Sequence, residues 1–390
     1  MTLPFRVLHV LDDFSRSASG VTSTVRQIAE WQAQHCEWVG VHATGTMDMP
    51  VSTAVHLYRS EAQKIAPRWR YPVGGARRLA RLMQEQRVTH VHIHEFWRGA
   101  YVSAMLAAGR LGLPVILSAH GSTAPWALRG QSALKTLKKS LYWTLFGRFL
   151  MTPRTVLHAV TPLEREHMLA FFGNEPRVIP NAIRLDAVTS PVPPAALLSR
   201  RFVFLGRLHP VKGVELLIDA FDQAALPAEW ELVIAGPEEV STYVDKLKAA
   251  ASNSRKANRI SFVGPLHGEE KAALLRSAWT VVVPSKTEVI GMVNLEAAAA
   301  GTPTITTRAT GLLEWGEIGG VLVHDDLPSL VAALESCANW PPEERSERGE
   351  RSRQHVERHY SLQTVGQKWL FLLQDTTAGK VSTDSSQRPI

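Results

Sequence analysis

Short apolar runs alternate with segments of helical period through the first half of the chain. FRVLHVL (Phe5 to Leu11), WVGVHAT (Trp38 to Thr44), AVHLYR (Ala54 to Arg59), THVHIH (Thr89 to His94) and VILSAH (Val115 to His120) are brief and carry β-branched residues, so each predicts a strand. Gly20 opens a helix through Val21–Gln34, and YVSAMLAAGRLG (Tyr101 to Gly112) predicts a crossover helix ended by Gly112. VLHAVT and VIPNAI close this half. Such alternation implies a parallel, doubly wound sheet.

RLDAVTSPVPPAALLSRR then breaks the pattern with Pro191, Pro193 and Pro194 and shows no apolar period. The βα alternation restarts at RFVFLG (Arg201 to Gly206), which predicts a second domain. HVERHYSLQTVGQKWLFLLQD (His355 to Asp375) predicts one long helix, and the polar residues after it predict disorder. The expected organisation is an N-terminal domain at 1–185, a linker at 186–200, a second domain at 201–354, a terminal helix at 355–375 and a disordered tail at 376–390.

The composition is that of a globular protein: 390 residues, 45% hydrophobic and 20% charged. Cys36 and Cys337 stand far apart, so no disulfide framework is expected and a reducing cytosol fits. The first residues read as a β-strand rather than a signal peptide, and no run of about 18 apolar residues predicts a membrane span. The net charge of +7 is unevenly divided, with +10 on residues 1–190 and −3 on the remainder. A basic half points to an anionic partner. No nucleic-acid module accompanies it, and an anionic lipid surface fits better.

The candidate chemistry gathers in PSKTEVIGMVNLEAAAAGTP (Pro284 to Pro303), which reads as strand end, loop and helix. Glu288 falls in the loop and Glu296 in the helix. Gly291, Met292 and Val293 offer backbone amides at the helix start, where phosphate or sugar oxygens are attracted. Arg207 and Lys212 follow an earlier strand with Gly206 and Gly213 beside them. Two cations on such a loop suit a diphosphate clamp, though two solvated charges would read the same way. The pair of carboxylates can accept bonds from sugar and ribose hydroxyls, so the set suits a nucleotide-sugar. His92 and His94 have a spacing seen in metal sites, but strand alternation explains it equally, and no metal is expected. Asp12 and Asp13 read as a turn that can reach a substrate.

This segment resembles the E-x7-E signature of retaining glycosyltransferases of the GT-B fold, glycosyltransferase family 4. FVFLGRLHPVKGVELLIDAF, LVIAGP, ISFVGPL, VIPNAI and the N-terminal HVLDDFSRSASGVTSTVRQIA match in order, over roughly residues 5–375. The resemblance implies an α/β GT-B fold: two Rossmann-like domains facing a cleft, with the terminal helix crossing back to the N-terminal, acceptor-binding domain. It implies a retaining hexosyltransferase without a metal, taking a UDP- or GDP-sugar to a glycan or lipid-linked acceptor of a surface polysaccharide. Glu296 would anchor ribose, Arg207 and Lys212 the leaving diphosphate, and Glu288 and His120 the sugar; Glu314 resembles a family glutamate near the nucleotide, and Gly20 matches a first-loop glycine that meets donor phosphate or acceptor, or simply turns the chain into the helix. The chain departs from the family where Val289 stands in place of a glycine after Glu288, which leaves donor identity open. A GT-B nucleotide-sugar epimerase and a non-catalytic nucleotide-sugar-binding protein are the rival readings. No G-x-G-x-x-G follows a strand, which argues against a dehydrogenase.

Two basic stretches lie in the half that the resemblance assigns to the acceptor. WALRGQSALKTLKKSLYWTLFGRFLM (Trp126 to Met151) holds five Lys/Arg and no acid, with Leu134, Leu137, Leu141, Leu145 and Phe149 at helical spacing. It predicts either an interfacial helix or an ordinary core-facing helix with a basic outer face. WRYPVGGARRLARLM (Trp69 to Met83) adds four arginines. The expected location is cytoplasmic, at the inner face of the membrane that carries the acceptor.

Overall fold

The structure, a computed structural model, describes residues 2–15, 20–60, 63–66, 69–71, 73–129, 133–185 and 199–377. The chain divides into two compact units, Met1–Ala182 with Leu362–Ile390, and Ile183–Ser361.

The first unit runs β1 (Leu3–Leu11), α1 (Gly20–Gln32), β2 (Cys36–Ala43), β3 (Val55–Arg59), β4 (Gln63–Ala66), β5 (Trp69–Tyr71), α2 (Gly75–Glu85), β6 (His90–His94), α3 (Gly99–Leu111), β7 (Val115–Ser118), α4 (Pro125–Arg129), α5 (Ala133–Leu145), β8 (Thr155–Ala159), α6 (Pro162–Phe172) and β9 (Arg177–Val178). Seven of these strands form one parallel sheet in the order β3-β2-β1-β6-β7-β8-β9. Its hydrophobic positions fill both faces, as a sheet covered on two sides requires. Gly112 ends α3 in the left-handed conformation, φ 63°, as its place after the apolar run predicts. The antiparallel pair β4–β5 was not legible in the pattern.

The second unit runs β10 (Arg201–Leu205), α7 (Val214–Gln223), β11 (Glu231–Ala235), α8 (Ser241–Asn253), β12 (Ile260–Gly264), α9 (Gly268–Ser277), β13 (Thr280–Val283), α10 (Met292–Ala299), β14 (Thr304–Thr307), β15 (Val321–Val323), α11 (Leu327–Ala338) and α12 (Pro342–Tyr360). Its six parallel strands take the order β12-β11-β10-β13-β14-β15 around a core that includes Trp230 and Trp279.

The single terminal helix expected at 355–375 is instead two. The chain breaks at Ser361 (φ −60°, ψ 147°) between α12 and α13 (Leu362–Thr377). Ile183 N–H donates to Tyr360 O at 2.8 Å beside this break. α12 belongs to the second unit and α13 to the first, where Val365, Trp369, Leu370, Leu372 and Leu373 join the core of β1 and β2. Most of the expected linker and of the expected tail lies outside the described residues; of the tail, 376 and 377 are helical. Cys36 and Cys337 are buried free thiols. No described helix is long and apolar enough to cross a membrane.

Candidate functional site

In an open parallel sheet, ligands bind beyond the carboxyl ends of strands where the strand order reverses, because the loops there diverge. In the second unit that point lies between β10 and β13. The loop after β10 carries Gly206, Arg207 and Lys212; the loop after β13 carries Ser285 and Glu288. Lys212 Nζ meets Glu288 Oε1 at 2.5 Å, with both side chains 17% exposed, and Ser285 Oγ donates to the same oxygen at 3.0 Å. Gly213 permits this approach. It sits at φ 70°, and a Cβ there would lie 2.1 Å from the Pro284 carbonyl oxygen.

The other predicted charges are also paired. The exposed Arg207 guanidinium donates through Nη1 to both oxygens of Glu239, at 2.8 and 2.7 Å. Glu296, on α10, meets Lys271 of α9 at 2.6 Å. Thus Arg207 and Lys212 do not stand as an open pair of cations: each holds a carboxylate. Glu239 and Lys271 escaped the sequence reading. Their only signals were the acidic PEEV after β11 and a lysine on a neighbouring helix, and neither says which charge it faces.

The amides at the start of α10 need a correction. Gly291 N–H donates to Thr310 O at 3.1 Å and Met292 N–H to Ile290 O at 2.9 Å, so neither is open as expected. Val293 stands one residue into the first turn of α10, where helix N–H groups lack a partner inside the helix. Gly291 is tightly enclosed, since a Cβ there would stand 2.5 Å from Asn294 Nδ2. Its role is to let the loop close on Thr310 and Asn294. Glu314 accepts a hydrogen bond from Tyr360 Oη at 2.8 Å and lies 3.8 Å from His355 Nε2. This ties it to the end of α12.

His120 and Gly20 belong to the first unit. His120 follows β7 at φ 49°, a left-handed conformation uncommon outside glycine. The adjacent Gly121 N–H donates to Glu164 Oε1 at 2.5 Å, and Val160 N–H to Glu164 Oε2 at 2.7 Å, so a buried carboxylate braces the turn. His120 Nε2 lies 3.0 Å from His94 Nδ1. Burial, aided by His158, pushes the His120 pKa down to about 3, leaving a neutral ring at pH 7. Gly20 starts α1 and is exposed, and a Cβ added there would meet nothing within 4 Å. Packing does not require a glycine at this position. Asp12 is held through Oδ1 by Thr44 Oγ1 at 2.8 Å, just beyond β1.

The basic stretch at 126–151 is not one helix. It divides into α4, α5 and a 3₁₀ turn at Gly147–Leu150. Its leucine stripe faces outward: Leu134, Leu137, Leu141 and Leu145 are exposed, as are Phe146 and Phe149, the last at 68%. The helix docks instead through Trp143, whose ring lies 5.0 Å from Phe171 and 5.6 Å from Phe96, and through Lys139, whose ammonium lies 5.2 Å from the Trp97 ring.

A family model for glycosyl transferases group 1 matches residues 195–355, and one for glycosyltransferase family 4 matches residues 18–187. The chain belongs to glycosyltransferase family 4. A D-inositol 3-phosphate glycosyltransferase of Xylanimonas cellulosilytica is 28% identical over 61% of this chain and 60% of that protein. A glycogen synthase of Mycobacterium tuberculosis is 37% identical over 44% of this chain and 40% of that protein. Among the first curated relatives, the matched region spans 34% to 62% of their length. The solved structure of a sucrose-phosphate synthase from Thermosynechococcus elongatus superposes with a TM-score of 0.76 at 19% identity, covering 97% of this chain and all of that one. An Anabaena protein solved with UDP and glucose gives 0.74 at 16% identity, covering 95% and 100%. These likenesses establish the GT-B fold for this family-4 chain: two parallel-sheet, Rossmann-like units.

Proposed function

We propose that this family-4 protein is a retaining hexosyltransferase that carries a sugar from a nucleotide-sugar to a glycan or lipid-linked acceptor. The observation that carries the reading is the Lys212–Glu288 pair at the strand-order reversal of the second unit, flanked by Arg207 and Glu296. Diphosphate oxygens displace Glu239 from Arg207 and share Lys212, while Glu288, released toward the sugar, accepts its hydroxyls. Glu296 accepts from ribose. The Val293 amide orients the donor; His120, in the first unit, keeps only the sugar-contacting role that the resemblance implies.

The bond from the anomeric carbon to the β-phosphate oxygen breaks, and the acceptor oxygen bonds to that carbon on the same face. The acceptor proton passes to the departing diphosphate. Charge builds on the leaving group in this transition state, so cations placed beforehand lower the barrier rather than merely tighten binding. The diphosphate clamp uses protein cations and needs no metal. UDP is the favoured carrier, because the solved relatives include one holding UDP and glucose.

The outward leucine stripe of α5 supports a bilayer as the second partner. A contiguous apolar face this exposed, flanked by Lys138 and Arg148, suits an anionic membrane surface where a lipid-linked acceptor resides.

A thermal-shift panel with UDP-, GDP-, ADP- and CMP-sugars tests the donor. The expected result is a rise of several degrees with one base, lost in Glu296→Ala and Arg207→Ala. The absence of a shift with every nucleotide-sugar would overturn the reading. Tight binding with neither transfer nor hydrolysis would favour a non-catalytic protein, and acceptor-independent isomerisation an epimerase.

A further inference from the structure

One face of the seven-stranded sheet carries a row of histidines. His9 on β1 is the register partner of His92 on β6, and His94 lies two residues along on the same face. His94 is the partner of Ser118, and Ser118 of His158. His9, His92, His94 and His158 are all buried, at positions where an aliphatic side chain would fill a core without polar atoms to satisfy.

The ring nitrogens of the first three sort into two sets. One set is held by outer partners: His9 Nε2 with Gln32 Oε1 at 2.8 Å, His92 Nε2 with Ser118 Oγ at 2.7 Å, and His94 Nδ1 with His120 Nε2 at 3.0 Å. The other set is His9 Nδ1, His92 Nδ1 and His94 Nε2. Within it, His9 Nδ1 and His94 Nε2 lie 3.1 Å apart, and His92 Nδ1 is buried with no partner among the described residues. One nitrogen from each ring lies within 4.8 Å of the others.

We propose that His9, His92 and His94 form a binding site for a divalent transition-metal ion of the zinc type, ligated through this inner set of nitrogens. Three imidazoles without thiolate or carboxylate suit zinc and its neighbours, with water as the fourth ligand. The outer partners supply what such ligands need: each ring's second nitrogen is already engaged, which fixes its orientation. Nitrogens sharing a tetrahedral ion at ~2.0–2.1 Å stand about 3.4 Å apart, so the widest-set pair, within 4.8 Å, closes by up to about 1.4 Å. Metal on His94 Nε2 leaves the proton on Nδ1, which then donates to His120 Nε2 and fixes the His120 tautomer. That last consequence rests on the transfer reading of His120; the binding site does not.

The test is equilibrium dialysis of the untagged full-length protein against zinc(II), with bound metal measured by elemental analysis, and visible absorption of the cobalt(II) form. One equivalent with tetrahedral cobalt bands is expected, absent from His92→Gln and His94→Gln. Gln32→Leu keeps all three ligands and decides the matter should those variants not fold: it should bind about 10–100-fold more weakly. Less than a tenth of an equivalent at micromolar free zinc, or an equivalent that survives all three substitutions unchanged, overturns the site. The nucleotide thermal shift is read on the same samples, so a missing metal beside an intact shift sinks the metal site alone.

Discussion

The two units share a doubly wound parallel sheet but differ in where their polar groups lie. In the second, the charged groups gather on the loops beyond the strand ends and on the helices that follow, each acid beside a base: Lys212 with Glu288, Arg207 with Glu239, and Glu296 of α10 with Lys271 of α9. In the first, neutral rings form a buried layer under the sheet, and the apolar surplus is turned outward on α5. On the proposed function, a ligand meets exchangeable ion pairs in the second unit. In the first unit, the described residues offer a braced histidine turn and an outward leucine stripe. Chemistry carried on loops shows in short motifs, whereas chemistry carried by packing does not.

The largest expected effect falls on the ion pairs. Lys212→Ala should lower the transfer rate by about 10²–10³-fold, the loss typical for one preorganised charge-stabilising donor. Arg207→Ala, at an exposed side chain, should lower it less. Steady-state kinetics with the donor found by thermal shift checks both. Equal and small losses would show that the paired charges of the second unit are ordinary surface pairs, and the contrast between the units would fall.

Glycines sharpen the same contrast. Gly213→Ala forces a Cβ onto the Pro284 carbonyl at positive φ, so urea denaturation should show a loss of about 2–4 kcal/mol. Gly20→Ala meets open space and should change stability by no more than about 0.5 kcal/mol. A rise in donor or acceptor KM in Gly20→Ala, with stability unchanged, would place a ligand against that helix start; an unchanged KM would leave Gly20 a simple turn.

The outward stripe is tested by Leu137→Glu with Leu141→Glu. Neither side chain is buried, so thermal stability should hold while sedimentation with anionic vesicles at low salt weakens by about tenfold or more. Destabilisation without loss of sedimentation would make the stripe a covered protein surface rather than a membrane face.

These cases show what was readable in the chain. The parallel sheets followed from the alternation of apolar runs; the placing of Arg207, Lys212 and Glu288 on loops after strands was legible in the same alternation, but their pairing was not. The leucine period of α5 was legible, but periodicity gives a stripe without saying which side faces in. Trp143 and the Lys139 stem turned out to hold the buried side. His92 and His94 alternate as any strand residues do; only the register with His9 on a strand more than 80 residues away gathers the three rings. Ser361 gave a helix-starting signal inside an otherwise continuous pattern, and the break there was missed because HVERHY and LQTVGQKW are each good helix on their own.

The smallest effect concerns Glu314, where resemblance and geometry disagree about what the carboxylate serves. Resemblance assigns it to the nucleotide; the structure gives it Tyr360 Oη and His355. Burial alone would raise its pKa, yet hydrogen bonds from His355 and Tyr360 leave it below the ordinary glutamate value. A carboxylate with a lowered folded pKa stabilises fully above its unfolded value of about 4.3 and loses that contribution as the pH falls through the folded one. Tyr360→Phe removes one donor and should cost about 0.5–1 kcal/mol at pH 7, given that the Glu314 side chain is 38% exposed and partly screened. As the pH falls through the folded pKa of Glu314 the carboxylate is protonated in both proteins, and the gap should narrow. A pH-independent gap would mean that the hydroxyl acts on another group. A raised donor KM in Tyr360→Phe, with little change in stability, would return Glu314 to the nucleotide and add one more charge to the loops of the second unit.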